Sequence, residues 1–71
     1  MNPRLLKALR TLKGLSQGSM AMKLEISQPS YARIERGQRR AKKGERIIII
    51  ETLGQGAEAA FEVNYADSTS T

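Results

Sequence analysis

Apolar residues recur along this chain at intervals of three and four, interrupted by short polar or glycine-bearing breaks, and that spacing predicts a series of short helices. Leu5, Leu6, Leu9 and Leu12 form the first series, with Arg4, Lys7, Arg10 and Lys13 on the opposing side. Asn2 and Pro3 read as an N-cap and a first helical residue, and Gly14 as a left-handed cap at the far end. Ser16 opens a second helix, Gln17 to Leu24, whose apolar stripe is Met20, Ala21 and Leu24. Ala21 is small enough for another helix to cross closely, whereas Gly18 costs about 1 kcal/mol of helix propensity against alanine, so packing must hold this helix. Glu25-Ile26-Ser27 is a turn. Ser27 caps a third helix that has Gln28 and Pro29 in its first turn, Tyr31 and Ile34 facing inward, and Gly37 at its end.

The pattern then conflicts with itself. Glu45 to Leu53 contains Ile47 to Ile50, four consecutive β-branched residues with high strand propensity. Its length, Glu51 and the closing Gly54 suit a helix instead, and helix is the preferred reading. Four consecutive helical positions sweep about 300°, so one face cannot bury all four isoleucines. Gln55 to Val63 reads as a short last helix with Ala57, Ala60, Phe61 and Val63 packing back, and Asn64 to Thr71 as a disordered polar tail. The expectation is one all-α domain of five short helices over residues 1–63. The alternative is an α+β arrangement with strands in residues 47–63.

Charge changes the picture most. All twelve Lys and Arg residues lie between Arg4 and Arg46, where the only acids are Glu25, Glu35 and Glu45. Residues 1–46 therefore carry +9 and the remainder, with Glu51, Glu58, Glu62 and Asp67, carries −4. A basic part joined to an acidic end fits one face meeting a polyanion and another turned away from it. With no cysteine and no histidine, a disulfide framework and a thiolate or imidazole metal site are excluded, and the commonest acid–base residue is missing. No apolar run reaches the ~20 residues that span a bilayer, and Met1 to Leu15 is too polar for a secretory signal, which fits a cytoplasmic protein.

Several fragments together carry a family resemblance: Ser16-Gln17, Ala21, Ile26-Ser27-Gln28, Ile34-Glu35-Arg36-Gly37, the basic run Gln38 to Lys43, a preceding L-x-x-L-R helix and a following apolar helix ending in Leu-Gly. Over about Leu5 to Phe61 the chain resembles the lambdoid phage repressor and Cro family, also called XRE-type helix-turn-helix, which implies a lambda-repressor-like fold, with a Cro-like one as the α+β alternative. It departs from the pattern at Glu25, where the turn often has glycine, and at Pro29, where a polar base reader is common.

The resemblance implies a division of labour on double-stranded DNA. Gln28 is placed to pair with adenine N6 and N7, Pro29 to offer an apolar face to a thymine methyl, and Arg33 to take guanine O6 and N7 or a phosphate. Ser16, Gln17, Ser30, Arg36, Arg39, Arg40, Lys42 and Lys43 are the implied phosphate contacts. Arg10 and Glu35 match a family ion pair between the first and third helices. The function so implied is a transcriptional regulator, a repressor first, that places recognition helix 28–36 in the major groove as a homodimer. The excess isoleucines and the acidic end suggest Ile48, Ile50, Ala57 and Phe61 for the dimer contact. No cofactor and no metal are implied. A DNA-binding antitoxin with a toxin partner, a restriction–modification controller, and a protein-interaction module built on the isoleucine-rich helix remain as other readings. A nuclease lacks the carboxylate cluster or histidine to hold its metal.

Overall fold

The computed structural model describes residues 3–61. The Asn2 cap, the contribution of Val63 and the tail expected over 64–71 lie outside them. Four α-helices, α1 (Pro3–Leu12), α2 (Gln17–Leu24), α3 (Gln28–Glu35) and α4 (Lys43–Leu53), are followed by a 3-10 turn at Gln55–Ala57 and helical residues 58–61. No strand occurs among the described residues. The fold is all-α, and over the described part of 47–63, residues 47–61, the strands considered give way to helical structure because the isoleucine run can be shared between surfaces.

That sharing follows helical geometry. Ile49 is fully buried, Ile48 and Ile50 stand about 100° to either side and are half-buried, and Ile47 is 49% exposed on the far side. The helix also begins two residues earlier than expected, at Lys43. Its start is held by the Glu45 carboxylate, which reaches back to accept from the Lys42 backbone N–H at 2.8 Å. This is the acidic half of a capping box.

The first three helices end alike. After α1, Gly14 is left-handed (φ 71°), with Leu15 N–H donating to Arg10 O and Gly14 N–H to Thr11 O. After α3, Gly37 (φ 78°) repeats the pattern, with Gln38 N–H on Arg33 O and Gly37 N–H on Ile34 O. After α2 the same pair of bonds forms, Ile26 to Ala21 and Glu25 to Met22, but the left-handed residue is Glu25, at φ 58° and ψ 41°. All three are Schellman endings, which use up carbonyls that the last helical turn leaves without partners.

The core joins Leu6 of α1, Met20, Ala21 and Leu24 of α2, Tyr31 and Ile34 of α3, and Ile49 and Leu53 of α4. Ala57, Ala60 and Phe61 of the closing segment complete it. Leu12, expected on the inward stripe of α1, is 83% exposed. Three residues advance a helix by about 300°, so Leu12 falls about 60° back from Leu9 and past Leu5, itself only half-buried. Ala41 is buried within the basic connector and pins it to the domain.

Candidate nucleic-acid interface

Two serines and one left-handed turn position α3. Ser16 Oγ accepts from the Ser19 backbone N–H at 3.0 Å, opening α2, and Ser27 Oγ accepts from Ser30 N–H at 3.2 Å, opening α3. Ala21, at 3% exposure, lets the two helices meet closely. Tyr31 and Ile34 anchor α3 from below, so Gln28, Pro29 and Arg33 are left exposed on one arc of its outer side. Gln28 lies over the first turn of α2, its Oε1 3.7 Å from where a Cβ on Gly18 would stand.

Arg36, Arg40, Lys42 and Lys43 are exposed around the end of α3 and the connector. Ser16 is exposed and Ser30 half-buried. Two residues expected to offer side chains to phosphate also have partners within the fold. Gln17 Nε2 donates to Glu35 Oε1 at 3.2 Å, because the start of α2 lies against the end of α3. The Ser16 cap takes the Ser19 N–H, and the first two amides of a helix have no intrahelical acceptor, which leaves the Gln17 backbone amide without an intrahelical bond. Arg39 grips Glu45 through both terminal nitrogens, at 3.0 and 3.1 Å, and so braces the start of α4. That carboxylate sits below the usual glutamate range, because Arg39 donates to it and, against a smaller opposing effect of burial, so does the Lys42 backbone.

Beneath α3 is the expected ion pair. Arg10 Nε and Nη2 reach Glu35 Oε2 and Oε1 at 2.7 and 3.0 Å, and Arg10 Nη1 also donates to Leu15 O at 2.7 Å. Burial pushes the Glu35 carboxyl up. Hydrogen bonds from Arg10 and Gln17, the neighbouring Tyr31 hydroxyl and the Arg10 charge outweigh it and hold the group below its ordinary value. The Tyr31 ring is fully buried, and its hydroxyl has no hydrogen-bond partner of good geometry. Burial, and then the adjacent Glu35, push its ionisation up.

The proposed dimer residues divide. Ile48 and Ile50 are half-buried on α4, whereas Ala57 and Phe61, at 0% and 5% exposure, belong to the domain's own core. Ala57 and Phe61 are therefore occupied internally, because the closing segment folds back on α1 and α4. Sequence reasoning passes over Arg4 and Lys7, which it leaves on a solvated face; both line a recess with Gln17 and Arg36. It also passes over Arg39–Glu45, although the spacing of Lys42 and Glu45 is that of a capping box.

Among the described residues no helix is long and apolar enough to cross a membrane. A family model described as helix-turn-helix matches residues 6–55, from the first buried leucine of α1 through the end of α4. No curated protein and no solved structure matches the chain. With α2 and α3 capped and crossed as above, and the match covering well over half its length, the chain belongs to the XRE-type helix-turn-helix family of DNA-binding regulators.

Proposed function

We propose that the protein is a repressor that reads a near-palindromic operator as a homodimer, with α3 of each protomer in one of two successive major grooves about 34 Å apart. The observation that carries this is the surface of α3. Gln28, Pro29 and Arg33 are exposed together on a helix whose buried side is fully packed, and Arg36, Arg40, Lys42 and Lys43 flank its end. Gln28 pairs with adenine, Pro29 meets a thymine methyl, and Arg33 takes guanine or a phosphate. The Gln17 amide and the exposed connector cations hold the backbone and set the register, contributing affinity without sequence information. The dimer contact is assigned to α4, where Ile47 is exposed and Ile48 and Ile50 are half-buried. A homodimer that fills two successive grooves in this way acts by occupying its site, which is the physical form of repression.

Selection of bound duplexes from a random pool tests the whole reading. Enriched sequences should show two inverted half-sites centred about 10 base pairs, or a multiple of that turn, apart. Enrichment of a single unpaired half-site would remove the dimer, and no enrichment at all would remove the base-reading role of α3.

A further inference from the structure

Arg4 and Lys7 are exposed on the polar side of α1, where the core makes no demand on them. With Gln17, Glu35, Arg36 and Gln38 they line an open recess of about 580 Å³ between α1, the start of α2 and the end of α3. The one carboxylate lining it, Glu35, is already matched by the Arg10 guanidinium, so Arg4, Lys7 and Arg36 make the recess strongly positive. Gln17 and Arg36 also bound the DNA-reading surface, which makes the recess its continuation onto α1. The lining contains no aromatic ring on which a base could stack, but it does contain two amides and three flexible cations. That chemistry suits phosphate oxygens and carries no base information.

We propose that Arg4 and Lys7 each contact a backbone phosphate of the duplex that α3 reads, extending the footprint across the first helix. The inference rests on the DNA-binding function proposed above. Its test compares two double variants that remove equal charge: Arg4→Ala/Lys7→Ala inside the recess, and Lys13→Ala/Lys23→Ala, which are exposed and outside it. Removing one phosphate-bound cation lowers the slope of log affinity against log salt by about 0.9, so the recess variant should lose about 1.8 and show about twelve-fold less salt sensitivity between 50 and 200 mM. Its preferred sequence should be unchanged, and the corresponding phosphates should vanish from its ethylation-interference pattern. The variant with Lys13 and Lys23 replaced should keep the wild-type slope. A recess variant with the wild-type slope, or equal losses in both variants, would overturn the inference while leaving a salt-sensitive wild type as a DNA binder. A wild type that binds no duplex at low salt would overturn both.

Discussion

Glu25 holds a backbone conformation that glycine adopts freely and a residue with a Cβ does not. Among the described residues it is the one non-glycine with positive φ. The left-handed conformation costs about 1–2 kcal/mol, and a glycine returns part of that gain through its larger unfolded-state entropy. Glu25→Gly should therefore raise stability by about 0.5–1 kcal/mol, read as a higher denaturant midpoint at unchanged slope. A fall in midpoint would show that the side chain contributes something the turn geometry does not reveal. On α3, the proposed reading helix, Gln28→Ala should cost about 1–3 kcal/mol of discrimination at a single base position. Arg40→Ala should weaken specific and random duplexes alike and lower the salt slope by about 0.9. Equal effects of both substitutions on all sequences would dissolve the division between reading and anchoring residues.

At the scale of elements, the Arg10–Glu35 pair ties α1 to α3, and Gln17 brings in α2. Glu35 is 3% exposed, so removing its partner leaves a buried charge with only neutral neighbours, the Gln17 amide and the Tyr31 hydroxyl. Arg10→Met should cost about 3–5 kcal/mol, whereas Arg10→Met/Glu35→Leu should recover most of it, since an apolar pair of similar volume replaces buried ions at little cost. Thermal melts of the two variants distinguish these outcomes, and equal losses would mean that the pair does more than neutralise itself. This scale also separates what is legible in the sequence from what is not. The end of α1, the start of α2 and the bounds of α3 can be read because Gly14, Ser16, Ser27 and Gly37 act on neighbours a few residues away. The start of α4 lies two residues from its expected place because its cap comes from within the helix, through Glu45. The engagement of Gln17 by Glu35, and the use of Ala57 and Phe61 inside the core, depend on contacts between distant segments that no local pattern encodes. Arg10–Glu35 is just as distant, and only the family resemblance reaches it.

For the whole molecule, three buried or half-buried groups set the pH range. Glu35 and Glu45 are both held below their ordinary values in the folded state. Their contribution is present above the unfolded glutamate pKa of about 4.3 and is lost as pH falls through the lower folded values. Tyr31 is raised, so its contribution is full below about pH 10 and is lost as pH rises toward the folded value. Unfolding free energy should thus be nearly flat from about pH 5 to 9 and fall on both sides, as chemical denaturation across pH would show. A decline centred near neutrality would contradict this assignment, and the chain has no histidine to produce one.

The network of Arg10, Glu35 and Gln17 has a calorimetric consequence. It fastens three helices together before any duplex arrives, so the proposed reading surface has little left to order on binding. The heat capacity change of association should then match the apolar area covered at the interface, with no added contribution from folding. A markedly larger negative value would mean that part of the domain gains its structure on the DNA. Loosening the network with Arg10→Met should move the value in that direction, converting a rigid reader into one that is ordered by its site.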